Sequence, residues 1–377
     1  MTSTAHPRTS AGPPPSLAEL RQLAPLHARA QGIPAARCRA LLARIGTAHG
    51  DGPDSWPAVW SRAGDRLAAR GRHLAAARHY ALARFPYVDG PARERAQRLA
   101  VRSFDRWRTA RPGIDRVEVA HRGGRFAAWA AGLSTGRPRP LILVCGGIVS
   151  VKEQWAPLLA RAEALGTAVA VTELPGVGEN TLPYDAAAPA MVTALLDALA
   201  GRADVRRTSA VALSFGGHLA LRAALGDPRI AGVATVGAPV RHFFTDSLGR
   251  PGLPATTLRT LARLTGHPED GLAAALGNWA LADAELAALE RLPVTYVAAL
   301  RDRIVPLSDA AVLLRDARAP RQVLFADDEH GTPARLARVR PLLLAAALEA
   351  LDAHPARRTL LRTAAGLGGA RKGRVRI

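Results

Sequence analysis

The chain has 377 residues, 48% apolar and 22% charged, an ordinary globular composition that excludes wholesale disorder. Its two cysteines, Cys38 and Cys145, stand far apart, which excludes a disulfide scaffold and a cysteine-based zinc site. The formal charge of +20 is almost all arginine, and the densest basic run, Arg371-Lys372-Gly373-Arg374-Val375-Arg376, has no interleaved aromatics, so composition rather than a nucleic-acid partner is expected to account for it.

No apolar run reaches the roughly 18 residues of a membrane-spanning helix. The start, MTSTAHPRTSAGPPPS, lacks the apolar core of a secretory signal. A soluble, cytoplasmic protein is the expectation. Residues 1–16 are expected to be disordered. Residues 17–113 read as an all-helical cap domain without strand signal. In 71–85 the apolar positions Leu74, Ala77, Ala81 and Phe85 fall at helical spacing; in 92–107, Ala96, Leu99, Phe104 and Trp107 share a face. Tyr80, Phe85 and Trp107 read as core before pocket.

The pattern changes near Arg111-Pro112-Gly113. Two paired strands are expected around a Gly123-Gly124 turn. Short apolar runs follow at 141–145, 168–171, 210–213, 233–236, 294–297 and 323–325, as strands buried on both faces require. Helical patterns separate them at 153–165, 186–199, 217–225, 309–317 and 334–351. This alternation predicts an α/β fold, a mostly parallel sheet flanked by helices, over 114–355. Residues 240–293 read as a helical insertion near the strand ends, and 356–377 as a basic, flexible tail.

In such a sheet, ligands sit at the carboxyl ends of the strands. The run Ala212-Leu213-Ser214-Phe215-Gly216 lies between a strand and a helix, the setting of a nucleophile elbow, with Ala212 where glycine is usual. A serine nucleophile needs a base and the base an orienting acid. Asp302 follows the next strand but one, and His330 follows the strand after that, in the expected order Ser, Asp, His. His218, His267, Asp309, Asp327 and Asp328 are weaker competitors on placement. Backbone donors for an oxyanion are expected at Phe215 and at Ile148, with Gly147 the alternative, in the loop Gly146-Gly147-Ile148. The pair in Gly176-Val177-Gly178 lacks the third glycine of a dinucleotide fingerprint.

Four strings together carry a family resemblance: Gly146-Gly147-Ile148-Val149-Ser150-Val151-Lys152-Glu153, Glu173-Leu174-Pro175-Gly176-Val177-Gly178-Glu179, Ala212-Leu213-Ser214-Phe215-Gly216-Gly217-His218, and Arg301-Asp302-Arg303-Ile304-Val305-Pro306. Over roughly residues 55–350 the chain resembles the FrsA-like branch of the α/β-hydrolases, which includes a pseudooxynicotine hydrolase and fungal polyketide-shortening hydrolases. The resemblance implies an α/β-hydrolase fold with an N-terminal helical domain closing over the site, and the same triad: Ser214, Asp302 and His330. Lys152 and Glu153 match its most distinctive string and are expected to form an ion pair, running from surface to pocket, that fixes the oxyanion loop. Tyr184, His242 and Phe243 are candidate pocket residues.

The expected activity is acyl-enzyme hydrolysis of a small carbonyl compound, an ester or the C–C bond of a β-diketone or polyketide-like substrate. Acyl transfer through the same intermediate, and a non-catalytic binding role on the same scaffold, are the alternatives. No cofactor or metal is expected. The expected partner is a small-molecule substrate, with no nucleic acid and no membrane; a homodimer is the expected assembly if there is one.

Overall fold

In the computed structural model, residues 15–314, 321–367 and 375–376 are described. Residues 1–14 of the segment expected to be disordered, and 368–374 and 377 of the expected tail, lie outside them.

Five helices come first: Leu17–Ala30, Ala35–Leu42, Trp56–Ala68, His73–Arg84 and Pro91–Thr109. Ser16 caps the first by accepting from the Glu19 amide (3.2 Å). The apolar stripe Leu20, Ala24 and Ala28 repeats every four residues and packs with Trp56, Trp60, Leu82 and Phe85 into a core of its own.

The sheet comprises β1 (Ile114–His121), β2 (Gly124–Ala131), β3 (Pro140–Cys145), β4 (Ala168–Thr172), β5 (Asp204–Leu213), β6 (Ile230–Val236), β7 (Val294–Ala299), β8 (Arg321–Ala326) and β9 (Val375–Arg376). Its order is β1-β2-β4-β3-β5-β6-β7-β8-β9. The β1–β2 and β2–β4 pairs are antiparallel, and every later pair is parallel. This is the α/β-hydrolase fold. Period-2 alternation builds its two cores. Leu141, Leu143 and Cys145 enter one apolar layer, while Ile142 and Val144 enter the other.

Local differences from the sequence expectations have identifiable causes. The first hairpin turns at Arg122-Gly123, because His121 pairs with Gly124 and both loop residues take positive φ (47° and 74°), as a two-residue turn of the primed type demands. The expected helix 153–165 is three short pieces, Lys152–Trp155, Ala156–Leu159 and Ala162–Leu165. Pro157 has no amide to donate and is tolerated only in a first turn, so the second piece begins at Ala156. Part of the expected flexible tail is the helix Pro355–Ala364. Between β6 and β7 the chain forms the π-helical turn Phe243–Ser247 and the helices Ala255–Thr265, Leu272–Leu276 and Asp283–Ala288. Among the described residues, no helix is long and apolar enough to cross a membrane.

Candidate active site

The strand order reverses direction between β3 and β5, which makes the carboxyl edge there the natural ligand crevice. Ser214 leaves β5 at that point and precedes the helix Phe215–Gly226. Its φ of 52° is a left-handed value that a non-glycine residue adopts only under constraint. The constraint is visible: the Ser214 amide donates to the Val236 carbonyl (2.8 Å), and its carbonyl accepts from Gly217 (2.8 Å). A side chain at Gly216 would collide with the Gly146 carbonyl, and one at Gly217 with Thr235. Those two glycines allow the sharp turn that lifts Ser214 Oγ off the sheet edge.

His330, beyond β8, brings Nε2 to 3.0 Å from Ser214 Oγ. Its Nδ1 lies 2.7 Å from Asp302 Oδ2. The Asp302 side chain is 3% exposed. Its other oxygen accepts from the amides of Ile304 (2.8 Å) and Val305 (2.9 Å), so the turn after β7 aims the carboxylate at the imidazole. Gly237 makes room: a Cβ there would stand 3.1 Å from the His330 ring. The sequence reasoning did not single out Gly237. Its position directly after β6, at the same edge as the others, was the available signal.

The competitors are engaged elsewhere. Asp327 pairs with Arg301. Asp328 accepts from the amides of Glu329 (2.8 Å), Ala334 (2.8 Å) and Arg335 (3.1 Å), which shapes the loop carrying His330. Buried Asp309 accepts from the amides of Arg241 (2.7 Å), His242 (2.6 Å) and Phe243 (3.1 Å), and burial pushes its carboxyl above the usual range. His218 is buried, with Nδ1 3.1 Å from the Pro239 carbonyl; burial, then the charge of Arg222, lowers its pKa to about 3.

Beside the serine runs the loop Gly146-Gly147-Ile148. A Cβ on Gly147 would lie 3.1 Å from Ser214 Cβ. The amides of Gly147, Ile148 and Phe215 donate to no backbone carbonyl among the described residues. For Phe215 this follows from its place in the first turn of a helix, where amides have no intrahelical acceptor. The arrangement therefore combines a hydroxyl, an adjoining imidazole tethered to a buried carboxylate, and uncommitted amides.

Behind this loop lies a cluster the sequence only hinted at. Lys152 and Glu153 do not run from surface to pocket; their side chains are 0% and 2% exposed. Lys152 Nζ lies 3.2 Å from Glu153 Oε1 and donates to Glu173 Oε1 (2.8 Å) and Glu179 Oε2 (2.7 Å). The Trp129 indole donates to Glu153 Oε1 (2.9 Å), and Arg116 reaches both oxygens of Glu179 (3.0 and 3.2 Å). Burial opposes the Lys152 charge, but the three carboxylates outweigh it and raise the ammonium pKa. Burial raises the Glu173 pKa despite Lys152; for Glu179, Lys152 and Arg116 outweigh burial and lower it. Glu173 and Glu179 sit in the second of the four strings, which was the available signal for them. Arg84 holds the other side of the loop by donating to the Val149 carbonyl.

The candidate pocket residues divide. Phe243 is fully buried and meets Phe215 edge to face, with ring centroids 5.2 Å apart, so it backs the Ser214 turn from the core. His242 pairs with Asp246 (2.9 Å). Tyr184 is buried, its ring 5.0 Å from Trp279 and its hydroxyl without a hydrogen-bond partner among the described residues. Tyr80 donates to Asp65 (2.7 Å) inside the helical core, and Trp107 packs on Phe104.

A family model described as Esterase FrsA-like matches residues 58–313. The chain belongs to the FrsA-like esterase family. Esterase FrsA of Citrobacter koseri is 31% identical over 207 residues, 52% of this chain and 50% of that protein. The α/β-hydrolase UcsC of an Acremonium species is 28% identical over 221 residues, 50% of this chain and 44% of that one. The chain thus spans about half the length of the curated relatives it matches. Among solved structures, wild-type AbyA5 is 48% identical, with a TM-score of 0.87 covering 93% of this chain and 99% of that one. The 2,6-dihydroxy-pseudo-oxynicotine hydrolase, 19% identical, shares the fold with a TM-score of 0.64 over 88% of this chain and 96% of that one. The FrsA-like match takes in the last three of the five N-terminal helices and the strands through β7, and so includes Ser214 and Asp302 but stops short of His330.

Proposed function

We propose that the protein is a serine hydrolase that cleaves an acyl substrate through an acyl-enzyme. One observation carries this reading: Ser214 Oγ, on a left-handed elbow, lies 3.0 Å from His330 Nε2, whose Nδ1 lies 2.7 Å from buried Asp302. In the proposed reaction, Ser214 Oγ attacks the substrate carbonyl carbon and its proton passes to His330 Nε2. The oxyanion is received by the amides of Phe215 and Ile148, with Gly147 the alternative to Ile148. Collapse breaks the bond to the leaving group, which takes the proton from His330. Water, deprotonated by His330, then attacks the acyl carbon, and Ser214 recovers its proton as the acid departs. Asp302 holds the imidazole with Nδ1 protonated and stabilises the imidazolium. Membership of a family described as esterases favours an ester, whose leaving group is an alkoxide. A β-diketone passes through the same acyl-enzyme: collapse breaks its C–C bond, and the fragment leaving as a delocalised carbanion takes the proton from His330.

Intact-protein mass after treatment with a fluorophosphonate tests the activated serine. One adduct on the wild type and none on Ser214→Ala is the expected outcome. Equal labelling of both proteins, or an unlabelled wild type that is folded by circular dichroism, contradicts it.

A further inference from the structure

The turn that carries His330 has a costly backbone. Directly after His330, Gly331 and Thr332 both take left-handed φ values, 77° and 51°. A β-branched residue holds such a value only where its surroundings leave it no alternative. Thr332 is buried. Its amide donates to the Glu329 carbonyl (2.9 Å) and its carbonyl accepts from the Arg335 amide (3.1 Å), so backbone bonds close the turn on both sides of it.

One side chain fastens the two ends of that turn together. Buried Asp328 stands two residues before His330. Its Oδ1 accepts from the amide of Glu329, just ahead of His330 (2.8 Å). Its Oδ2 accepts from the amides of Ala334 (2.8 Å) and Arg335 (3.1 Å), four and five residues beyond. The charge is offset by these three N–H groups and by the N-terminus of the helix Leu336–Ala350, which begins directly after Arg335. Both oxygens are needed: asparagine offers one, and its NH₂ would meet an N–H donor at one end of the turn.

The same residue reaches the segment that carries Asp302. The Asp328 carbonyl accepts from the amide of Arg301 (3.0 Å), and the Ala326 carbonyl accepts from the amide of Leu300 (2.8 Å). Asp302 follows Arg301 directly. The turns after β7 and β8 are therefore bonded to each other through the backbone of Asp328. The 2.7 Å contact between Asp302 Oδ2 and His330 Nδ1 spans the two turns so joined.

We propose that Asp328 is a positioning residue for the reaction: its carboxylate locks the left-handed turn over 329–335 and so sets the His330 imidazole between Asp302 and Ser214. It acts through His330 and needs no contact with substrate. Its effect on rate rests on the hydrolase reading, whereas the His330–Asp302 hydrogen bond that it sets is observable without turnover.

The test compares the full-length wild type with Asp328→Asn, which keeps the size of the side chain, and with Glu329→Gln, which removes the charge of an exposed side chain next to His330 and leaves the Asp328 carboxylate intact. Three quantities are read: kcat and KM for an aryl ester, the rate of fluorophosphonate labelling, and the far-downfield proton NMR resonance of the His330 Nδ1–H bonded to Asp302. Asp328→Asn is expected to lower kcat by about 10²-fold with KM within about threefold, and to slow labelling in step. The resonance should be lost while circular dichroism stays that of the wild type. Glu329→Gln is expected to change each rate by less than about twofold and to keep the resonance. A kcat or resonance unchanged by Asp328→Asn, an equal loss in Glu329→Gln, or a wild type without the resonance overturns the proposal. If Asp328→Asn does not fold, Asp328→Asn/Thr332→Gly, in which the left-handed position carries no strain, takes its place. Failure of both to fold assigns Asp328 to global stability and overturns the proposal too. An unlabelled wild type defeats the acyl-enzyme reading and leaves the resonance to judge Asp328, whereas a labelled wild type with a resonance indifferent to Asp328→Asn defeats only the positioning role.

Discussion

Replacing Ser214 by alanine is expected to lower kcat/KM for an aryl ester by about 10⁴- to 10⁶-fold, measured as initial rates of phenolate release. His330→Ala should lose a similar amount, and the double variant little more than either single one. The reason is geometric. In the proposed reaction the hydroxyl and the imidazole, 3.0 Å apart, act as one unit in transferring the proton, so removing either would remove the whole step. Losses that multiply in the double variant would show that the two residues act independently and contradict this arrangement. The same position carries a stability signature. The φ of 52° at Ser214 costs a non-glycine residue about 1–2 kcal/mol, so Ser214→Gly should raise urea stability by about that amount while abolishing turnover. Ser214→Ala retains a Cβ and should not.

The second large effect concerns Lys152. Lys152→Met keeps most of the aliphatic stem but leaves Glu153, Glu173 and Glu179 without their shared cation, while Arg116 still serves Glu179. Breaking a buried ionic cluster from one side costs about 3–5 kcal/mol, far more than a surface pair. The effect should extend to the chemistry. Glu173 also accepts from the Lys152 amide (3.0 Å), just after the loop proposed to offer the oxyanion donors, and a displacement of about 1 Å there can cost about 10²-fold in rate. The pH dependence has a definite sign. Burial already raises the folded-state pKa of Glu173 above its unfolded value, and loss of Lys152 raises it further. A carboxyl raised in this way favours the folded state most when protonated, and that contribution is lost as pH rises through its folded pKa. The destabilisation of Lys152→Met should therefore shrink as pH falls from about 8 toward the unfolded carboxyl range near 4.5, measured by urea titration. Adding Glu173→Gln should recover part of the loss at the higher pH. Parallel stability profiles for wild type and Lys152→Met would rule out buried carboxylates as the source.

The parts of this site written in local sequence were legible. Ser214 announces itself by lying between the apolar run of β5 and a helix, and Asp302 and His330 by following successive strands, because a parallel sheet gathers all its strand ends at one edge. The continuous apolar run of β3 marked a strand buried on both faces by the same local logic. What stayed hidden depends on contacts between distant segments. The acid–base pairing of Lys152 was visible, but its principal hydrogen-bonding carboxylates lie 21 and 27 residues on, brought back by β4 and the turn after it. A side chain on Gly178 would run into the Glu173 carboxylate, a constraint that no local pattern reveals. Phe243, a reasonable pocket candidate beyond β6, turns inward because Phe215 and Phe244 offer aromatic faces there.

Acid quenching during the first turnovers of an aryl ester, followed by intact mass and peptide mapping, tests the central claim most directly. The expected result is a protein heavier by the acyl group, with the added mass on the peptide containing Ser214, appearing together with a burst of phenol. Ester turnover with no acyl adduct at any quench time, or with the adduct on another residue, would contradict the assignment of Ser214 as the nucleophile.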